Sequence, residues 1–249
     1  MTAMPMREVV PGVYQLGSAF VNWYLVEEQG QLTLIDAGFP GYWPHFVHVL
    51  SRLNKSFNDV TAILLTHAHA DHLGFVESAR RVSGAPVWIH EADVEHAYQP
   101  ENRPPDGIIY NLWRPFTRHL FTSAVAHQAL SVQPIQTLQT FRDGAKLDVP
   151  GQPVAIHAPG HTAGECGFLL PNHNVFVSGD IIVTMNLKTG RQDGPQLTPK
   201  KFNSNDIEAF SSLTQIEQLG EVKLLPGHGE VWSGQMTDAV YHARQYRYN

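Results

Sequence analysis

Short apolar runs rich in β-branched and aromatic side chains recur early in the chain, at 13–16, 20–26, 32–35 and 62–65. Runs of this length predict strands. Between the third and the fourth, Trp43, Phe46, Val47, Leu50 and Leu53 fall at helical spacing, and 38–41, bounded by Gly38 and Gly41, supplies the turn that begins that helix. A polar segment, 66–72, follows the fourth run. Beyond it the pattern predicts a helix over 73–82, stopped at Ser83-Gly84, and a short strand over 87–89. The second half repeats the scheme, with strands near 154–156, 167–170, 175–177 and 222–225. A helix over 207–219 has Ile207, Phe210, Leu213 and Ile216 along one side and Ser204 or Asn205 as its cap, with acidic residues in its first turn. A last helix carries Met236, Val240 and Ala243.

Two stretches break the rhythm: about 93–133, with many aromatics and histidines, and about 184–205, which is polar with scattered Gly and Pro. Both suit walls or lids of a site, set into one domain that runs over 1–249. Composition narrows the partners. No apolar run approaches the roughly 20 residues that span a bilayer, so no membrane partner is expected. The first ten residues, with Pro5, Arg7 and Glu8, lack the form of a secretory signal, so the expected location is cytoplasmic. A formal charge of −6, with Lys200-Lys201 as the nearest approach to a basic run, gives no footprint for nucleic acid and favours a small-molecule substrate. A single cysteine, Cys166, excludes a thiolate-rich metal site, so any metal ligands must be histidines and carboxylates.

The chain has 14 histidines, and their spacing matters more than their number. His67, His69, Asp71 and His72 place four potential ligands within six residues, directly after a predicted buried strand that can hold them still. Three further groups each follow an apolar strand: His161, Asp180 and His228, in Pro159-Gly160-His161, Ser178-Gly179-Asp180 and Pro226-Gly227-His228-Gly229. The glycines suit tight turns that aim one side chain inward. His45, His48 and His242 stand alone and read as solvated or hydrogen-bonded rings; His90 and His157 read as structural. Cys166, next to Gly167 in a predicted strand, reads as a packed apolar residue.

In this pattern the chain resembles the metallo-β-lactamase superfamily, whose HxHxDH motif stands here as His67-Ala68-His69-Ala70-Asp71-His72, followed by His161, Asp180 and His228; Leu34-Ile35-Asp36-Ala37-Gly38 matches its early Asp-Gly turn. The resemblance implies an α/β fold, a four-layer αβ/βα sandwich with metals at one edge of two sheets. It implies that His67, His69 and His161 hold one metal, that Asp71, His72 and His228 hold a second, and that Asp180 bridges both. The cofactors would be two divalent ions, with zinc the default and iron or manganese equally suited to such ligands. Such a pair would lower the pKa of a shared water to give a bridging hydroxide, with Asp71 and Asp180 as catalytic carboxylates in proton transfer. Asp36 would support a ligand or its loop by hydrogen bonding.

The expected activity is hydrolysis of a small ester, lactone, thioester or phosphoester. A mononuclear-iron persulfide dioxygenase on the same fold is the second reading, and a non-catalytic metal-stabilised binding module the third. The nearest branches by resemblance are the glyoxalase II enzymes and the acyl-homoserine lactonases. Only about twenty residues follow His228, too few for the helical region with which the former bind a glutathione thioester. Like the lactonases, the chain has an insertion before the third histidine, whose Trp113, Phe116 and Phe121 could line an acyl pocket, but Val183 stands where those enzymes often carry a tyrosine. Exposed aromatics in that insertion would also suit a homodimer.

Overall fold

The computed structural model describes residues 4–18, 20–104 and 108–246. The first half of the chain forms a seven-stranded sheet in sequence order: β1 (Met6–Val10), β2 (Val13–Gly17), β3 (Asn22–Glu28), β4 (Gln31–Ile35), β5 (Val60–Leu64), β6 (Val87–His90) and β7 (Gln139–Phe141). The strands from β1 to β4 form an antiparallel meander, whereas β4 to β7 are parallel and need crossovers. Helix α1 (Trp43–Arg52) crosses from β4 to β5, α2 (Ala70–Leu73) and α3 (Val76–Ser83) from β5 to β6, and α4 (Val94–Tyr98) and α5 (Pro115–Ala126) from β6 to β7. The second half supplies β8 (Val154–His157), β9 (Cys166–Leu170), β10 (Val175–Gly179), the hairpin β11 (Val183–Met185) and β12 (Gln192–Gln196), α6 (Asp206–Ile216), β13 (Glu221–Pro226), β14 (Trp232–Gln235) and α7 (Met236–Gln245). Its main sheet runs β14-β13-β10-β9-β8, with β10 and β13 parallel.

Side-chain alternation on these strands builds the layers. Tyr24, Val26, Ile35 and Leu64 of the first sheet pack against Phe168, Val175, Val177 and Leu225 of the second in one buried cluster. Their neighbours Trp23, Leu25, Leu34 and Ile63 face the other way and meet Phe46 and Val49 of α1 and Val76 and Ala79 of α3. On the far side Phe176 and Leu224 meet Leu213 and Ile216 of α6 and Val240 and Ala243 of α7. Helix, sheet, sheet, helix is the four-layer sandwich expected. Strands covered on both faces read as continuous apolar runs, which is why β3, β4, β5 and β10 stand out in the sequence.

The helices differ from expectation in detail. In α1 the buried face is His45, Phe46, Val49 and Leu50, so His45 packs on Trp23 rather than in solvent, while Val47 is 40% exposed; the 3.6-residue repeat turns Val47 about 100° from the line through Phe46 and Leu53. In α6, Asn205 caps the helix by accepting from the Glu208 N–H, but Ile207 is 77% exposed, and Ala209, Ser212, Leu213 and Ile216 make the inner face. Ser212 faces inward because its hydroxyl donates to the Pro159 carbonyl at 2.8 Å. The helix expected over 73–82 is broken into α2 and α3 at Gly74, where the chain passes so close to the turn after β4 that a Cβ would lie 1.8 Å from the Gly38 carbonyl oxygen. Strands β1, β7, β11, β12 and β14 were not expected; they are short, and several of their residues are exposed. No helix among the described residues is long and apolar enough to cross a membrane.

The contact at Gly74 is backbone against backbone and cannot be relieved by a rotamer change. Gly74→Ala is expected to destabilise the fold by about 2 kcal/mol or more, read as a lower urea midpoint at unchanged slope; an unshifted midpoint would refute the close approach.

Candidate metal centre

Asp36 follows β4 with φ 57°, a left-handed conformation that aspartate tolerates better than most residues. Its carboxylate accepts from the Thr66 N–H (2.9 Å), the Thr66 hydroxyl (2.8 Å) and His72 Nδ1 (2.8 Å), which pins both ends of 66–72 to the end of β4. Thr66 donates its hydroxyl proton to Asp36, so its oxygen accepts from His67 Nδ1 at 3.0 Å. The other expected residues arrive from the second sheet: His161 after β8, Asp180 after β10 and His228 after β13. The turn at His228 is held by Asn22, whose side-chain amide donates to the carbonyls of Pro226 (2.9 Å) and Gly229 (2.7 Å), and by the Tyr24 hydroxyl on Pro226 (2.6 Å). A Cβ at Gly227 would lie 2.4 Å from Asp180 Oδ1, so only glycine lets the two turns meet.

All seven residues come together. Three groups offer ligand atoms within 4.8 Å of one another: His67, His69 and His161; His67, His72 and Asp180; and Asp71, His72 and His228. His69 Nδ1 is 3.1 Å from His67 Nε2 and 2.9 Å from His161 Nε2. Asp180 Oδ2 is 3.4 Å from His161 Nε2 and 3.1 Å from His228 Nε2, and Oδ1 is 3.7 Å from His72 Nε2, so this carboxylate touches both groups. The outward nitrogens are occupied: His161 Nδ1 faces Asn203 Oδ1 at 3.2 Å and His228 Nδ1 faces the Phe20 carbonyl. With Nδ1–H engaged outside, the lone pairs of four rings point inward.

Two buried atoms in this cluster, His72 Nε2 and Asp180 Oδ1, have no hydrogen-bond partner. Orphaned buried polar atoms are rare, and a nitrogen and an oxygen left so beside neutral imidazoles are what a cation would satisfy. The electrostatics agree. Burial, reinforced by the neighbouring rings, holds His67 well below the usual histidine range and His161 down to about 3, so both are neutral donors. Burial also opposes charge on His72 and His228, but Asp36, Asp71 and Asp180 outweigh it and raise them to about 10 and about 9. Asp180 resists ionisation by burial, yet His228, His161 and His72 hold it well below the carboxylate range. Positive charge is required here, supplied by a proton or by a metal.

Sequence reasoning missed two buried carboxylates. Asp93 accepts from the Ala68 N–H (3.0 Å), the Thr162 hydroxyl (2.8 Å) and the Gly164 N–H (2.6 Å), tying 66–72 to the loop that carries His161. Glu165 accepts from the Asp180 N–H at 2.9 Å and lies 3.2 Å from His67 Nδ1. For Glu165 the available signal was a carboxylate set directly before a buried strand, which is costly unless partnered; Asp93, between β6 and α4, gave none. His90 and His157 stack on each other at 3.9 Å outside the cluster. Cys166 is buried, its thiol pushed up by burial and by Glu165.

A cavity of about 650 Å³ opens over the cluster, and both irregular stretches wall it. Leu120, Phe121 and Ala124 come from α5, Leu187 and Phe202 from 184–205. Of the three aromatics expected to line a pocket, only Phe121 does so. Trp113 is 73% exposed beside Arg114, and Phe116 packs on Phe20 with ring centroids 5.8 Å apart. Val183 is fully buried in β11, so that position presents nothing to the cavity.

The model of the metallo-beta-lactamase superfamily matches residues 16–228. The chain belongs to that superfamily. Its clustered His and Asp side chains are those typical of the superfamily's metal-hydrolase sites, and the chain is an enzyme of that kind. Probable metallo-hydrolase YflN of Bacillus subtilis (strain 168) is 26% identical over 245 residues, 91% of this chain and 87% of its own. The uncharacterized protein Rv2581c of Mycobacterium tuberculosis (strain ATCC 25618 / H37Rv) is 33% identical over 188 residues, 71% and 72% of the two chains. Among solved structures, the metallo-beta-lactamase family protein TTHA1429 from Thermus thermophilus superposes with a TM-score of 0.68 at 24% identity, covering 94% of this chain and 80% of its own. TTHA1623 in a di-iron-bound form gives 0.59 at 27% identity, covering 88% and 92%.

Removing the Asp93 carboxylate strands three donors in a buried place. Asp93→Ala is expected to cost about 3 kcal/mol of stability, measured by chemical denaturation with Asp148→Ala, on an exposed carboxylate, as the control. Equal midpoints for the two variants would show that the clamp is dispensable.

Proposed function

We propose that this chain is a two-metal hydrolase of small esters, lactones, thioesters or phosphoesters. The observation that carries the reading is the position of Asp180, whose two oxygens reach inward nitrogens of both histidine groups. His67, His69 and His161 would hold one ion, Asp71, His72 and His228 the other, and Asp180 would bridge them. Such a pair supplies an acidified water as nucleophile and a Lewis acid for the carbonyl or phosphoryl oxygen. The di-iron form of TTHA1623 supports double occupancy.

The chain's own residues set the geometry and move the proton. Asp36, the Phe20 carbonyl, Thr66 and Asn203 fix the ring orientations, so that no imidazole must rotate to act as a ligand, and His72 and His228 would exchange an Nε2 proton for the ion. Asp71, half-buried, lines the cavity with one oxygen 3.5 Å from His228 Nε2. Its carboxylate takes the proton of the attacking water and returns it to the leaving group. The apolar residues of α5 line the cavity over the cluster, where a bound substrate would displace water from them.

Elemental mass spectrometry on untagged protein purified without added metal is expected to find about two ions of zinc, manganese or iron per chain. About one iron per chain, with oxygen consumed in the presence of a persulfide, would replace this reading by a sulfur dioxygenase. In Asp180→Ala, metal content and kcat/KM should fall together, the latter by about 100-fold or more; full metal content with undiminished turnover would overturn the assignment.

A further inference from the structure

The cavity carries information about its occupant that the metal cluster does not. Along α5 its wall is apolar, with Leu120, Phe121, Ala124 and Val125, and Leu187 and Phe202 add apolar surface from 184–205. Away from the cluster, one arginine and one lysine among the described residues also line it. Arg103 is paired with Glu101 at 3.3 Å, both side chains 64% exposed, so that pair brings no net charge. Lys201 makes no ion pair among the described residues; its ammonium lies 4.5 Å from the centroid of the Phe202 ring, which also lines the cavity.

The place of Lys201 is fixed by the residues on its C-terminal side. It belongs to a single 3-10 turn, Lys200–Phe202, that runs into Asn203, whose side chain meets His161 Nδ1. The next two residues, Ser204 and Asn205, donate backbone N–H bonds to the His161 carbonyl (3.0 Å) and the Gly160 carbonyl (2.9 Å). Lys201 therefore lines the cavity from a segment fastened to the His161 turn, two residues before the Asn203 that touches His161. A lysine there, exposed, with its ammonium over an aromatic ring and no acid paired with it among the described residues, is a point charge available to a ligand.

From this juxtaposition we propose that the site takes amphipathic anions: substrates whose alkyl or aryl arm lies along α5 and whose anionic group, close to the scissile bond, is held by Lys201. The proposal rests on the hydrolase reading for the scissile bond, but its binding half can be tested without turnover. An apolar cavity of this size accommodates a drug-sized ligand, and each methylene withdrawn from water strengthens binding by about fourfold. The charge at Lys201 then selects among apolar ligands rather than supplying the bulk of the affinity.

The test is calorimetric titration of the metal-loaded protein with octane-1-sulfonate, methanesulfonate and octan-1-ol, the sulfonates being weak metal ligands. Octane-1-sulfonate should bind at least about 100-fold more tightly than methanesulfonate and at least about fivefold more tightly than octan-1-ol. Lys201→Ala should erase the second difference and leave octan-1-ol unaffected, and Lys201→Arg should restore it. Phe121→Ser should weaken both octyl ligands and not methanesulfonate. Equal affinity of octane-1-sulfonate for wild type and Lys201→Ala, or no gain from the octyl chain, overturns the proposal. Turnover is scored separately: if these affinities hold while neutral and carboxylated octanoyl esters are both left intact, the ester-hydrolase reading fails and the ligand class stands. Hydrolysis of both esters at equal rates by wild type and by Lys201→Ala removes the anionic half even where hydrolysis itself is established.

Discussion

Asp36 accepts three hydrogen bonds from the two ends of 66–72, and the rest of the site depends on that contact. The carboxylate fixes the proton of His72 on Nδ1 and so turns Nε2 inward. Through the Thr66 hydroxyl it also decides that His67 donates outward from Nδ1, which turns a second Nε2 inward. One buried charge thus sets two tautomers. Its burial is tolerated because all three contacts are with donors and because the cluster beyond His72 carries the compensating positive charge.

The second sheet repeats the device with different groups. Asn203 engages His161 from outside, the Phe20 carbonyl engages His228, and Glu165 holds the backbone of Asp180. His72, His161, His228 and Asp180 are each held by a group on a different segment, so the cluster closes only when both sheets are in register. Parallel strand ends are where an α/β fold can do this: β4 and β5 of one sheet, and β10 and β13 of the other, finish beside each other, and their following turns meet at Gly227 and Asp180. The orphaned His72 Nε2 and Asp180 Oδ1 lie at that meeting point.

The strands covered on both faces and the seven residues of the cluster were legible because each leaves a local trace: a continuous apolar run, four ligand-type residues packed into 67–72, or a polar residue set in a glycine turn at a strand's end. Asp93 and Glu165 were not, since their partners come from segments distant in sequence and neither lies in a motif. Helix faces were half legible. Val47 and Ile207 continue an apolar spacing, but the line through the true contacts passes through Val49 and Ala209 instead, and only the opposing surface decides between two such lines. The break at Gly74 has the same origin, because a helical pattern gives no notice that another backbone will press against it.

The cavity wall was the least legible part, and the reason bears on specificity. Cluster residues are held by hydrogen bonds of fixed geometry, whereas Phe121, Ala124 and Phe202 are placed by how two irregular segments pack. Among aromatics of similar spacing, Phe116 fills a gap against Phe20 and Trp113 faces solvent, so residue type alone does not reveal which one meets a ligand. Val183 makes the same point from the other side. Because β11 buries it, a tyrosine there would have to displace core rather than reach the substrate, and polar help at the reacting end has to come from groups that do line the cavity. Asn203 is committed to His161 and Thr162 to Asp93, while Lys201 has no such commitment among the described residues. On the proposal made above, discrimination between substrates would rest with Lys201, an exposed residue that can vary while Asn203 keeps its hold on His161.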